Sequence, residues 1–303
     1  MNSASESSPF DPPTIIHDLP FEDYKNIEAA NASGLKVLLD RSPAHAHGMP
    51  PKATDAMSMG TLIHTATLEP EKLRVEYAVL PDFPRTTNAG KAQRVEWLCD
   101  LLGAAAPASD QKTEGKRLDE QLSALEQMLQ RRGITTISQA QYDQAEAVAQ
   151  AVKSHPLAAP LLDGAEPEVT LLANDPATGQ LVKVRTDALK SADDLIIDLK
   201  TAEDASFEAF SRAAGRYQYH LQAALYRWVY QWVTERTPGF IHIVVETKPP
   251  YGVVCYDMDS EAIERGGQRA RFALSRWAEC ARTGHWPGYP TEFVSLSLPK
   301  WSL

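Results

Sequence analysis

The chain has 303 residues, enough for one large domain or two small ones, and folding at this length buries about three-quarters of the surface of the unfolded chain. Hydrophobic residues make up 43% and charged residues 23%, a composition that is typical of globular proteins and excludes wholesale disorder. The net charge of −10 argues against a protein that coats nucleic acid by bulk positive charge, but it permits an enzyme with a local basic channel.

The cysteines and the hydropathy of the chain indicate its compartment. Cys99, Cys255 and Cys280 are far apart and in no C-x-x-C spacing, which fits a reducing cytosol. An iron–sulfur cluster needs four thiolates, so none is expected. No apolar run approaches the roughly 20 residues that span a bilayer, and the N-terminus does not resemble a signal peptide. We therefore expect a soluble, cytoplasmic protein with no membrane partner.

The first half of the chain is predicted to be mainly helical. Residues 1–20 are Ser- and Pro-rich and predict a flexible tail before a single domain, 21–303. Ser33 is a candidate N-cap for a short helix that Pro43 ends. The patterns then predict a helix from about Thr54 to Pro70, a strand at 75–84, a loop at 103–115 and helices at 116–132 and 138–154. Residues 30–155 are thus expected to form an N-terminal helical layer.

The second half of the chain changes to a strand-like period. The predicted strands are 168–172, 180–189, 195–200, 240–247 and 252–258, and the predicted helices are 216–235 and 260–283. This order predicts an α/β (α+β) fold, with helices on the faces of a mixed sheet in a core of about residues 160–303.

Two predicted strands carry the residues that could bind a metal or act in catalysis. Because side chains alternate along a strand, Asp198 and Lys200 share one face, and Lys183, Arg185 and Asp187 share a face of the preceding strand. If the two strands pair as a hairpin, Asp187 and Asp198 converge on one point.

Two carboxylates that converge beside a lysine need a cation between them, or one of them must take up a proton. Mg²⁺ suits the arrangement because it prefers oxygen ligands and binds through one or two carboxylates plus phosphate. Glu168 could supply a further oxygen, and the lysine could orient or deprotonate water or stabilise charge on the phosphate. The alternative is a surface ion pair, because D-x-K is a common tripeptide.

Two pairs of helical residues add to this group. Gln222 and Tyr226 are four residues apart, so both can point at one site, and the same spacing relates Gly60 and His64. A lone histidine on a helix is more often a surface or core residue than a ligand.

In this order, these residues resemble the RecB-like branch of the PD-(D/E)xK nuclease superfamily, which has a restriction-endonuclease-like core. Within that branch the chain is most similar to the nuclease domain of RecE-type exonuclease VIII. Besides the residues above, the resemblance lies in Ser33-Gly34-Leu35-Lys36, Gly60-Thr61-Leu62-Ile63-His64, Asp198-Leu199-Lys200-Thr201, Trp286-Pro287-Gly288-Tyr289 and Leu298-Pro299-x-Trp301.

The resemblance implies a Mg²⁺-dependent 5′→3′ exodeoxyribonuclease, with Mn²⁺ as a substitute and with neither a nucleotide cofactor nor an iron–sulfur cluster. Its substrate would be linear double-stranded DNA, left with 3′ single-stranded tails for recombination by single-strand annealing. It also implies a RecT-like annealing partner, a toroidal homo-oligomer (tetramer or trimer) and a bacterial or prophage gene.

The resemblance assigns roles at the metal site residue by residue. Asp187, Asp198 and the backbone carbonyl of Leu199 would bind the metal, and Lys200 would be the catalytic lysine. The family's proline before the first acid is Thr186 here, and this departure is tolerable because the proline takes no part in the chemistry.

Four further residues would complete the catalytic site. Glu168 and His64 would belong to it, with His64 near a metal or the scissile phosphate. Gln222 and Tyr226 would support the lysine or contact DNA.

A basic stretch, Arg85 to Arg94, is a candidate DNA contact. Arg85, Thr86 and Lys91 could hold the 5′-terminal phosphate, since Arg offers a bidentate fork to phosphate. The alternative is a solvated basic loop. Trp286, Tyr289 and Trp301 could cover DNA, or they could pack in the core or at a subunit interface.

Two other functions stay open from the sequence. One is a PD-(D/E)xK endonuclease with the same metal site. The other is a non-catalytic DNA-end-binding protein, against which the intact Asp187, Asp198 and Lys200 argue.

Overall fold

The computed structural model describes residues 10–48 and 55–297, which form two compact units. The core unit contains the described residues up to 48 together with 155–246 and 252–297, and the helical unit contains 55–154 and 247–251. The helical layer expected over residues 30–155 is therefore divided, because residues 30–48 belong to the core unit.

The elements follow one another in a mainly helical half and a mixed half. The first half contains β1 (Thr14–Ile16), α1 (Phe21–Asn26), α2 (Ala32–Asp40), α3 (Pro43–Gly48), α4 (Asp55–Leu68), α5 (Pro70–Glu76), β2 (Tyr77–Val79), α6 (Asn88–Leu102), α7 (Glu114–Arg131), β3 (Thr135–Ile137) and α8 (Gln139–Ser154). The second half contains α9 (Ala158–Leu162), β4 (Glu166–Pro167), β5 (Thr170–Asn174), β6 (Leu181–Arg185), β7 (Ala188–Lys190), β8 (Leu195–Ala202), α10 (Phe207–Arg216), α11 (Tyr219–Thr234), β9 (Gly239–Glu246), β10 (Val253–Asp257) and α12 (Ser260–Thr283).

The core unit is built on a mixed five-stranded sheet. Its strand order is β10-β9-β8-β7-β4, in which β8 and β9 run parallel and the other pairs antiparallel. Helices α10 and α11 connect the two parallel strands, which cannot be joined by a tight turn. A second sheet, β1-β5-β6, shares an apolar cluster with α2, α11 and α12. The expected mixed α/β fold is confirmed.

The N-terminal region differs from the expectation in two details. The tail expected over residues 1–20 is wrong at Thr14–Ile16, which forms β1 and pairs with β5 because Ile15 and Ile16 pack against the core unit. Residues 1–9 lie outside the described residues. The N-cap of α2 is Asn31, whose side chain accepts the Gly34 N–H at 2.9 Å, and Ser33 lies inside the helix.

The single strand expected over residues 180–189 is two strands in different sheets. Strand β6 ends at Arg185 and β7 begins at Ala188. Between them, the Thr186 N–H and hydroxyl both donate to the Val169 carbonyl, at 2.9 and 3.2 Å. The chain thus passes from one sheet to the other at Thr186 and Asp187, where alternation along one strand no longer applies.

As a result, Lys183 does not share the surroundings of the candidate site. Its side chain is buried, and Nζ donates to the carbonyl oxygens of Tyr24 and Ile27 at 2.7 Å, where α1 ends. Burial lowers the pKa of Lys183 to about 8. This lysine caps a helix.

The helical unit packs the leucine stripe of α7 against α6. Leu118, Leu122, Leu125 and Leu129 are buried with Leu98 and its neighbours, so the stripe is a packing face. The strand expected at 75–84 covers only Tyr77–Val79, which pairs parallel with β3. Among residues 10–48 and 55–297, no helix is both long and apolar enough to cross a membrane.

Candidate active site

The hairpin of β7 and β8 brings the two predicted metal ligands together. The strands pair antiparallel with Ala188 across from Ile197, so the register continued by one residue sets Asp187 across from Asp198. Opposed residues of an antiparallel pair have Cβ atoms about 5 Å apart. A carboxylate oxygen of Asp187 also accepts the Leu199 N–H at 2.8 Å.

Asp198 lies at the centre of a hydrogen-bond network. It is 1% exposed and lies on β8, which runs between β7 and β9 in the five-stranded sheet. Its Oδ2 contacts Lys200 Nζ at 2.5 Å and His242 Nδ1 at 2.9 Å. Its Oδ1 accepts from Gln222 Nε2 at 2.7 Å. The structure thus brings three of the predicted site residues into direct contact.

The electrostatics of this group favour a bound cation. Burial, followed by the charge of Asp198, raises the pKa of Asp187 to about 7. Burial also acts to raise the pKa of Asp198, but Lys200 and His242 outweigh it and hold that pKa below its usual range. The two carboxylates hold the pKa of Lys200 above its ordinary value, against the effect of burial. Asp198 is buried and Asp187 partly buried, and two neighbouring carboxylates that resist ionising together are the arrangement that a divalent cation relieves.

Helix α11 supplies the two residues of the predicted i, i+4 pair. Gln222 links Asp198 to Lys36, because its Oε1 accepts from Lys36 Nζ at 3.1 Å. Tyr226 packs edge-on against Phe240, with ring centroids 6.2 Å apart, and burial raises its pKa well above the usual value. Gln222 therefore orients the carboxylate, and Tyr226 stands beside the group as a protonated phenol.

Lys36 is a site residue to which sequence reasoning gave no role. It lies on α2, and its Nζ is 5.4 Å from the centroid of the Tyr219 ring, which Lys200 Nζ approaches at 5.1 Å. Burial, followed by the charge of Lys200, lowers the pKa of Lys36 to about 8. The only sequence signal was its place in the family-like segment Ser33-Gly34-Leu35-Lys36.

His242 is a second residue that sequence reasoning missed. It lies on β9 directly beside Asp198 in the parallel register and is fully buried. Its Nε2 has no hydrogen-bond partner among the described residues. A polar residue inside an otherwise apolar predicted strand was the available signal.

Glu168 is held by an arginine. Its carboxylate pairs with Arg185 Nε, and Arg185 Nη1 donates to the Leu19 carbonyl at 2.6 Å. The backbone N–H of Glu168 donates to the Asp187 carbonyl at 3.0 Å, so Glu168 and Asp187 are neighbours through the backbone. A direct role of Glu168 at a metal stays a prediction.

The remaining predicted site residues belong to the helical unit. His64 lies on α4, Arg85 and Thr86 are exposed before α6, and Lys91 lies on α6, paired with Asp119 at 2.6 Å. A cavity of about 880 Å³ is lined in part by Arg85 and Lys91. The catalytic role of His64 stays a prediction, and so does the binding of the 5′-terminal phosphate by Arg85, Thr86 and Lys91.

The residues present fit a magnesium ion. Within the described parts of the chain, no group of three or more His, Cys, Asp or Glu residues could hold a metal. Mg²⁺ does not need such a cage, because it keeps several waters and binds through one or two carboxylates together with substrate phosphate. Asp187 and Asp198 would provide those carboxylates, and the Leu199 carbonyl is the third candidate oxygen.

Comparison with known proteins identifies the family. The model of a PDDEXK-like domain of unknown function (DUF3799) matches residues 23–295. The chain belongs to this PDDEXK-like family. Its structure is similar to that of a "putative exonuclease" from Eubacterium rectale, with 12% identity and a TM-score of 0.55 over 94% of this chain and 97% of that chain. A phage related exonuclease from Haemophilus somnus 129PT matches with 15% identity and a TM-score of 0.28 over 67% of this chain and 92% of that chain. Comparison with curated proteins gives no match.

The family match confirms the PD-(D/E)xK resemblance and the core predicted from sequence. At 12% identity, the Eubacterium rectale structure shows a shared fold. The two family-like segments near the C-terminus can be followed only in part. Trp286 stacks on His47 with ring centroids 4.4 Å apart, and the Tyr289 ring centroid lies 5.0 Å from that of His45. Leu298 to Trp301 fall outside the described residues.

Proposed function

We propose that the protein is a Mg²⁺-dependent 5′→3′ exodeoxyribonuclease that resects linear double-stranded DNA and leaves 3′ single-stranded tails. The observation that carries the proposal is the contact of Asp198 with Lys200, Gln222 and His242. The neighbouring carboxyl group of Asp187, whose pKa is raised, completes the group. Family membership and the exonuclease description of a protein with the same fold support nuclease chemistry.

Each residue of the group has a role in phosphodiester hydrolysis. Asp187 and Asp198 would hold Mg²⁺, which when bound polarises the phosphate and lowers the pKa of a water. Lys200 would orient the attacking water and stabilise the negative charge that develops on the phosphate. Gln222 fixes the Asp198 carboxylate through Oδ1. Lys36, whose Nζ donates to Gln222, would add a second positive charge near the phosphate.

The wider setting follows from the same proposal. A RecT-like single-strand annealing protein would use the 3′ tails, and a toroidal trimer or tetramer would hold the enzyme on DNA. Mn²⁺ would replace Mg²⁺, since both accept carboxylate and phosphate oxygens. Size-exclusion chromatography with light scattering tests the ring, which a monomer at micromolar concentration would contradict.

The decisive experiment compares linear with covalently closed duplex DNA, labelled at the 5′ or the 3′ end, in Mg²⁺ or EDTA. Early release of the 5′ label from linear DNA alone, abolished by EDTA, is the expected result. Cutting of the closed circle would indicate an endonuclease, and end binding without cleavage would indicate a non-catalytic protein.

Two pairs of variants connect the activity to the site. Lys200→Ala and Asp198→Asn should abolish cleavage. Lys190→Ala and Asp193→Asn change a partly exposed ion pair at the other end of the same hairpin and should cleave like the wild type. Wild-type digestion by Lys200→Ala would show that the site is wrongly assigned.

A further inference from the structure

Two tyrosines form a stacked pair that leads away from Lys200. The Tyr219 ring is 5.1 Å from Lys200 Nζ, and the Tyr217 ring stacks on Tyr219 with centroids 5.8 Å apart and planes at 29°. Tyr219 is partly buried, whereas Tyr217 is 52% exposed. The pair therefore connects the buried catalytic group with the surface of the core unit.

A buried glutamine fixes the geometry of the pair. Gln218 lies between the two tyrosines with φ of 53°, a conformation that costs energy in a residue other than glycine. Its side chain is 4% exposed, donates to Asp40 Oδ1 at 2.6 Å and accepts from Arg269 at 2.8 and 3.1 Å. These contacts hold the kink between α10 and α11, and the kink brings both rings to one side.

Positive charges flank the stacked rings, although the whole chain is acidic. The Arg216 guanidinium lies 5.5 Å from the Tyr217 ring, and Lys36 Nζ lies 5.4 Å from the Tyr219 ring. Aromatic faces combined with cations are the features by which proteins bind single-stranded nucleic acid: bases stack on the rings, and phosphates contact the cations. Exposed Tyr217 offers a ring to a base, and Arg216 offers a charge to the neighbouring phosphate.

We propose that Tyr217 and Arg216 form a subsite for a nucleotide of the single DNA strand next to the phosphate that is cleaved. The subsite rests on the proposed nuclease function and deepens it by naming a substrate contact. Because every base has an aromatic face, the subsite tolerates any sequence. It would hold an unpaired base close to Lys200.

Binding in EDTA tests the subsite without cleavage. Anisotropy of a labelled single-stranded oligonucleotide should report affinity about tenfold weaker for Tyr217→Ala and Tyr217→Leu, since stacking requires an aromatic ring. Tyr217→Phe should bind within about twofold of the wild type. Arg216→Ala should reduce the slope of log affinity against log salt by about 0.7, the value for one phosphate of a single strand.

The control variant is Phe272→Ala, which removes a 61% exposed aromatic ring from α12 and should not change binding. Wild-type affinity of both Tyr217→Ala and Tyr217→Leu would overturn the subsite, and so would equal weakening by Phe272→Ala. The absence of single-strand binding by the wild type at low salt would also overturn it. If Tyr217→Ala and Tyr217→Leu weaken binding but the wild type cleaves no DNA, the subsite is supported and the proposed nuclease function is wrong.

Discussion

The hydrogen bond between His242 and Asp198 gives a quantitative test of the proposed metal site. His242 is fully buried, and its Nδ1 lies 2.9 Å from Asp198 Oδ2. An ionised carboxylate only accepts hydrogen bonds, so Nδ1 carries the proton and donates it. The imidazole packs against aromatic rings, including those of Phe210 and Phe240, and its Nε2 has no hydrogen-bond partner among the described residues.

Replacing His242 with leucine should separate stability from metal binding. The lost hydrogen bond to a charged group costs about 1.5–3 kcal/mol, while removal of the unpaired buried nitrogen returns about 1–3 kcal/mol. The midpoints of these ranges nearly cancel, so the expected change in the free energy of unfolding is close to zero and at most about 2 kcal/mol. Groups that orient a metal ligand are worth about 10–100-fold in metal affinity, which is about 1.4–2.7 kcal/mol. Metal affinity should therefore fall while stability is kept.

The assay pairs calorimetric titration with Mg²⁺ or Mn²⁺ and urea unfolding in EDTA. His242→Asn should recover part of the affinity, because its amide can donate from near the position of Nδ1. Phe210→Leu changes packing against the same imidazole and keeps the hydrogen bond, so it should leave metal affinity within about threefold and cost stability instead. Unchanged metal affinity in His242→Leu, or an equal loss in Phe210→Leu, would refute the reasoning.

Other predictions concern pH, packing and the DNA end. Because Asp187 has its pKa raised to about 7, the Mg²⁺ concentration for half-maximal activity should rise as pH falls below 7, and a flat profile would contradict this. The pKa of Asp187 in the folded protein lies above its ordinary value of 3.8, so its protonation stabilises the fold at low pH. In EDTA, the stability of the wild type relative to Asp187→Asn should therefore fall as pH rises from about 4 to 7. Gly266→Ala should lower the free energy of unfolding by more than about 1–3 kcal/mol, because the new Cβ would lie 2.0 Å from the His220 carbonyl oxygen. The control Gly215→Ala places a Cβ with no atom within 4 Å, and in urea unfolding it should raise the free energy of unfolding by about 0.4–1 kcal/mol. Arg85→Ala should slow digestion of 5′-phosphate ends more than of 5′-hydroxyl ends; equal slowing would remove its proposed role.

Local signals in the sequence predicted the elements that have clear boundaries. The helix predicted at 260–283 agrees with α12, because Asp259 caps its start and Gly284 ends it at φ of 69°. The strand predicted at 195–200 lies within β8, and the spacing of Gln222 and Tyr226 correctly indicated one helix. In these cases the information lies within a few residues of the element itself.

The missed features depend on contacts between distant segments. Lys36 is 186 residues from its partner Gln222, and His242 is 44 residues from Asp198, so no window along the sequence connects them. The break at Thr186 was missed for a related reason, because residues on both sides favour strands and only their pairing partners differ. Pairing partners are set by the sheet as a whole.

The charges of the site explain how an acidic chain could act on a polyanion. Lys36 and Lys200 lie beside Asp187 and Asp198, so the four side chains approximately balance one another. A divalent cation would turn this neutral group positive at the point where a phosphate must bind. The net charge of −10 describes the chain average, whereas phosphate binding depends on the potential within about 10 Å, the screening length at 0.1 M salt. Acidic composition and phosphate chemistry are therefore compatible, provided that the metal is bound before the DNA.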